Sequence, residues 1–130
     1  MDKDVARSET LYRVVKRSQP DSMSADGHPT SALFKQEGGV SVDRDGGRAE
    51  EEVICTFKER FTKRFKGLVC VGADICIDHC MAVIPETTSN EFHAEIFDNF
   101  EKKPLSPLNA LILADAARVI TYDMSVRWTV

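Results

Sequence analysis

His93 and Glu95 stand two positions apart in F-H-A-E-I-F. On a strand this spacing turns both side chains to one face, where they can share a proton or hold a substrate hydroxyl. The ordinary alternative is a solvated strand face. Arg13, in L-Y-R-V-V-K, carries a planar guanidinium fork that can grip a phosphate or carboxylate at two points, or serve in a structural ion pair. Residues 28–44, H-P-T-S-A-L-F-K-Q-E-G-G-V-S-V-D-R, supply His28, Ser31, Ser41, Asp43 and Arg44. The glycine pair and alternating valines of this stretch are explained by turns and a strand. Its functional weight therefore depends on convergence with Arg13 and the His93–Glu95 strand. Arg13, Ser41, His93 and Glu95 are the candidate catalytic residues, and His28, Ser31, Asp43 and Arg44 the candidate binding residues.

Standard signatures are missing. The chain has no G-x-G-x-x-G, no G-x-x-x-x-G-K-[ST], no H-E-x-x-H and no G-x-S-x-G. Cys70, Cys76, His79 and Cys80 raise the question of zinc, but C-x5-C-x2-H-C lacks a C-x-x-C knuckle and apolar placement accounts for most of these residues. No metal ligand set is expected. A cysteine nucleophile would need a base, and only His79 adjoins one in sequence, where neighbours seldom face each other.

These groups must be carried by regular elements. Residues 11–16 are β-branched and aromatic, which predicts a first strand with Leu11, Arg13 and Val15 on one face. Residues 17–30 read as a long loop, and residues 31–35 and 39–44 as short apolar pieces around a Gly-Gly turn. Ala49, Val53, Ile54, Phe57 and Phe61 recur at helical spacing over residues 48–62, with acids in the first turn and bases in the last. Residues 68–71 and 80–84 read as buried strands with a helical turn between them, and residues 92–97 as an alternating strand.

Ser106 and Pro107 predict the start of a second helix, with an apolar stripe of Leu108, Leu111, Ile112, Ala116 and Val119. Met124, Val126 and Trp128 alternate with polar residues, so residues 121–130 are expected to form a terminal strand, a possible homodimer contact. The order of elements is neither a regular βαβ alternation nor all-β. It predicts an α+β fold with a mixed or mostly antiparallel sheet and two main helices packed on it. Residues 1–10 are expected to be a mobile arm and residues 11–130 one domain.

At 130 residues the chain can bury roughly two-thirds of its unfolded surface. Its 17 basic and 21 acidic residues leave a net charge of −4, without the basic stripe that backbone-gripping nucleic-acid proteins show. Nucleic acid is thus not an expected partner. No apolar run approaches bilayer length and no apolar leader segment is visible, so a cytoplasmic protein with free cysteines and no membrane partner is expected.

Taken as one set, L-Y-R (11–13), G-H-P-T-S-A-L-F-K (27–35), G-V-S-V-D-R (39–44), V-G-A (71–73), V-I-P (83–85) and H-A-E-I (93–96) resemble a family of small uncharacterised bacterial proteins. That family has no established activity and implies no mechanism. A second resemblance, to ADP-ribosyltransferase-type folds, rests on an arginine in the first strand. It implies NAD as cofactor, with Arg13 meeting a phosphate, Ser31 or Ser41 lining the nicotinamide pocket and Glu95 orienting the ribose. The S-T-S and H-Y elements of that fold are absent here, and Glu95 is part of no E-x-E or Q-x-E pair. The leading expectation is a binding, interaction or regulatory module with a protein partner and no cofactor. The alternative is a NAD- or nucleotide-using enzyme.

Overall fold

A computed structural model describes residues 4–129. Its centre is a six-stranded sheet in the order β4-β5-β2-β1-β3-β6, in which every neighbouring pair is antiparallel. The strands are β1 (Thr10–Lys16), β2 (Val40–Arg44), β3 (Phe65–Gly72), β4 (Ala82–Pro85), β5 (His93–Phe97) and β6 (Arg118–Tyr122). The helices are α1 (Glu50–Phe61), α2 (Ala73–Asp78) and α3 (Pro107–Ala116). The expected α+β class with two main helices is what the chain adopts.

Strand alternation divides the core in two. Leu11 and Val15 of β1, Val40 and Val42 of β2, Val69 and Val71 of β3, and Ala94 and Ile96 of β5 face one way. They pack against α2, α3 and a 3-10 turn at Ser31–Phe34 that inserts Leu33 and Phe34. Tyr12, Val14, Leu68 and Cys70 face the other way, onto Val53 and Phe57 of α1. No residue of β2 or β5 belongs to this second cluster. Helix α1 therefore covers the β1–β3 half of its face and leaves the β2–β5 half to polar side chains.

The turn from β2 into α1 uses Gly46 and Gly47, both at positive φ, where a side chain would be strained. The acids Glu50, Glu51 and Glu52 sit in the first turn of α1 and Lys58 and Arg60 in its last, as the helix dipole favours. Ser106 caps α3 by accepting from the Asn109 N–H at 3.2 Å.

Two expectations are corrected. The buried face of α3 is Ala110, Leu113 and Ala114, while Leu108 and Leu111 are exposed, and Val119 lies in β6. Apolar residues surround this helix on all sides, so the periodic pattern fits more than one face. The last strand ends at Tyr122 instead of running through residues 121–130. Past it, Lys66 Nζ donates to the Asp123 and Val126 carbonyls and lies against the Tyr122 and Trp128 rings, fastening this segment across the end of the sheet. Met124, Val126 and Trp128 thus alternate without forming a strand, and Val130 lies outside the described residues.

Residues 1–3 of the expected N-terminal arm also lie outside the described residues. From residue 4 onward the segment makes specific contacts. The Asp4 carbonyl and the Glu9 carboxylate both accept from Arg44, and Arg7 pairs with Asp78 at 2.6 Å.

Candidate functional site

The β1–β2 ladder pairs Leu11 with Arg44 and Tyr12 with Asp43, and extends no further. Beyond it Ser41 presents backbone groups that a continued strand would have bonded, and side chains take that role. Arg13 Nη1 donates to the Ser41 carbonyl at 2.8 Å, and the Ser41 N–H donates to Gln36 Oε1 at 3.1 Å. Gln36 Oε1 also accepts from Arg13 Nη1, and Gln36 Nε2 donates to Ser41 Oγ at 3.3 Å. Arg13 Nε donates to the Leu33 carbonyl at 2.6 Å.

Arg13 is only 8% exposed, and every one of these acceptors is neutral. Its Nη2 makes no hydrogen bond among the described residues. No fully buried side-chain nitrogen among the described residues lacks a partner, and Arg13 is one of the residues lining the adjoining cleft. Burial pushes the Arg13 guanidinium down to about 10, which leaves it cationic at neutral pH.

That cleft, about 390 Å³, lies between the bare half of the sheet and the C-terminal part of α1. Its volume is in the range of small-molecule sites. Arg13, Ser41, Asp43 and His93 all line it, together with Lys16 and Arg60. Asp43, 1% exposed, is clasped by Arg60 through contacts of 2.9 and 3.2 Å, so the one buried carboxylate in the wall is already neutralised. Lys16 is held below its usual range by desolvation, and then by the positive charges of Arg13 and Arg64. With Asp43 and Arg60 neutralising each other, the net positive charge of the cleft wall comes from Arg13 and Lys16.

His93 pairs with Asp43 across β5 and β2. Its Nε2 lies 3.5 Å from Glu95 Oε2 and 4.0 Å from Glu86 Oε2. Among the described residues Glu86, His93 and Glu95 form the His, Cys and carboxylate group whose ligand atoms converge, all within 4.8 Å. Cys70, Cys76, His79 and Cys80 do not converge: Cys70 belongs to the α1 side of the sheet and Cys76 to the opposite side. All four cysteines are free.

The remaining candidates sit elsewhere. Arg44 is buried in a bidentate pair with Glu9, at 2.6 and 2.9 Å, away from the cleft. His28 is exposed in a loop closed by a Met23–Pro29 bridge, and its N–H donates to Ser24 Oγ. Ser31 opens the 3-10 turn beneath the sheet. The structure thus unites Arg13, Ser41, Asp43 and His93, sets Glu95 beside His93, and leaves out His28, Ser31 and Arg44. Gln36, Lys16, Arg60 and Glu86 were not legible as site residues, because each enters through the strand register or the α1 packing rather than through a motif.

Comparison of the chain with protein-family models, with curated proteins and with solved structures found no match.

Proposed function

We propose that the protein is a binding module whose cleft takes a small ligand bearing an oxyanion, a phosphate or a carboxylate. One observation carries this reading: a nearly buried guanidinium, held only by three neutral oxygens, borders a concavity also lined by Lys16. An unpaired charge in such a place is costly, and an incoming anion offsets the cost. A thermal-shift series with phosphate, pyrophosphate, nucleotides and NAD tests it, because a ligand bound only by the folded state raises Tm. Pyrophosphate or a nucleotide should raise Tm in the native protein and not in Arg13→Met. No rise with any of the four defeats the reading.

The alternative is a NAD- or nucleotide-using enzyme, favoured by the convergence of Arg13, Ser41 and His93 in one cleft with Glu95 beside His93. Nicotinamide release from NAD that disappears in Glu95→Gln supports this second reading, and an inert native protein removes it. A protein partner would engage the same cleft by inserting an acidic side chain, so competition between an acidic peptide and pyrophosphate reports it. No helix among the described residues is long and apolar enough to cross a membrane. We assign a cytoplasmic setting from the free thiols, which a reducing compartment preserves.

A further inference from the structure

The cleft that holds the cations also has an apolar wall. Val14 of β1 and Phe57 and Phe61 of α1 line the same cavity as Arg13 and Lys16. Phe57 and Phe61, one helical turn apart, stack with their ring centroids 6.0 Å apart and their planes inclined by 10°. Phe57 is buried, whereas Phe61 is only partly so and keeps ring surface uncovered. The Arg60 guanidinium, fixed by both carboxylate oxygens of Asp43, lies 4.9 Å from the centre of the Phe57 ring and lines the cavity as well.

Lys16 joins the two kinds of surface. Its Nζ lies 5.5 Å from the centre of the Phe61 ring. An anion seated at Lys16 is therefore within a few ångströms of an uncovered aromatic ring. At about 390 Å³ the cavity has the size of organic-ligand sites, and an inorganic anion fills a small part of it. A bare anion leaves Phe61 against water, while a ring attached to that anion covers it. A saturated group would gain from the apolar area alone. An aromatic ring gains further, by offset or edge-on packing with Phe61 and by contact of its face with the planar cation of Arg60.

We propose that the ligand of the cleft is an aromatic anion, a planar ring joined within a few bonds to a phosphate or carboxylate, with the ring against Phe61 and the anionic group at Lys16 and Arg13. This inference rests on the oxyanion reading of the cleft and adds the ring to it. Mononucleotides and aryl carboxylates share this chemistry. Ser89 and Asn90, which line the cleft from the loop between β4 and β5, offer hydrogen bonds to the polar edge of a nucleobase.

The test is calorimetric titration of the intact protein with phenyl phosphate, methyl phosphate, adenosine monophosphate, benzoate and pyrophosphate. Phenyl and methyl phosphate carry the same anionic group, so the ratio of their affinities reads the ring alone. Phenyl phosphate should bind about tenfold or more tighter than methyl phosphate, and pyrophosphate should compete with it for one site. Phe61→Leu keeps an apolar side chain at a partly buried position and removes the ring. It should lower that ratio about fivefold and leave pyrophosphate affinity unchanged. Lys16→Gln, at a half-buried strand end, should weaken phenyl phosphate and pyrophosphate alike. The tightest binding by adenosine monophosphate supports the proposal with a nucleotide as the source of the ring, and the tightest binding by benzoate supports it with an aryl carboxylate. Equal affinity for phenyl and methyl phosphate, or a ratio unaltered in Phe61→Leu, overturns the proposal, while competing pyrophosphate binding leaves the oxyanion reading standing. Absence of binding by all five anions removes both.

Discussion

Arg13 Nη1 lies 2.8 Å from the Ser41 carbonyl, and this side chain closes the gap that β1 and β2 leave where their ladder stops at Tyr12 and Asp43. A strand mismatch is thereby turned into a fixed cation. The planar fork matters, because Nε and Nη1 bond acceptors from two different segments, Leu33 and Ser41. Arg13→Lys keeps the charge but has one nitrogen for these tasks. It should lower stability by about 2–3 kcal/mol, the cost of leaving buried acceptors without a charged donor. Urea denaturation checks the loss, and a lysine variant as stable as the native protein would mean that the fork is not needed.

Arg44 and Glu9 provide the matching device at the other end of β2. Desolvation pushes the Glu9 carboxyl up, but the Arg44 guanidinium and the Ala6 N–H outweigh it and hold the group below its ordinary value of 4.5. A carboxylate lowered in the folded state contributes stability that is present above the unfolded value and lost as pH falls through the folded one. Stability should therefore decline below about pH 4.5 with a component that disappears in Glu9→Gln. That variant should itself cost about 2 kcal/mol at neutral pH, less than for a fully enclosed pair, because Glu9 keeps some solvent contact. Denaturation midpoints at pH 7, 5 and 3 measure both effects.

The alkaline limit has a different cause. Burial pushes the Cys76 thiol up to about 12, whereas the unfolded thiol ionises near 9. Between those values the unfolded chain loses a proton that the folded chain retains, so stability falls with rising pH by up to about 1.4 kcal/mol per pH unit. Arg13, lowered to about 10 by burial, acts in the opposite sense above that pH, since the folded state then gives up its proton first. Cys76→Ala should flatten the decline between pH 9 and 10. In thiol labelling of the folded protein at pH 8, Cys55 and Cys80 should react and Cys70 and Cys76 should remain protected.

Much of the scaffold was legible in the chain. The α1 segment carries a clear helical stripe and matching end charges, the β1 segment is β-branched and aromatic, and the β2 and β5 segments alternate. Helix α3 was legible in its capped start but not in its packing face, since leucines surround it. The alternation of Met124, Val126 and Trp128 suggested a strand, but Lys66 draws that segment into a cap over the sheet end. At the site, Arg13 and His93 stood out by residue type. Glu86 and Gln36 did not, because the β4–β5 register and the interrupted β1–β2 ladder make them neighbours of the cleft, and neither is written in local spacing.

Gly39 ties scaffold to site. A Cβ there would lie 2.6 Å from the Phe97 ring and 2.7 Å from Glu95 Cβ, too near for either to stay in place. Gly39→Ala should cost about 1–3 kcal/mol, as overpacking does, and shift Glu95 away from His93. Thermal denaturation and the His93 ring shifts in NMR spectra give the two readouts. An alanine variant with native Tm and unchanged His93 resonances would show that the close approach has no consequence.

The central claim is that the cleft between β2, β5 and α1 is a seat for an oxyanion. The most direct measurement is an NMR titration of the protein with pyrophosphate, following the Arg13 side-chain Nε–H and the backbone amides. Saturable shifts at Arg13, Ser41, Asp43 and His93, absent in Arg13→Met, are the predicted result. Shifts confined to other basic surfaces such as Lys58 and Lys63, or no saturable shift at millimolar pyrophosphate, would contradict it.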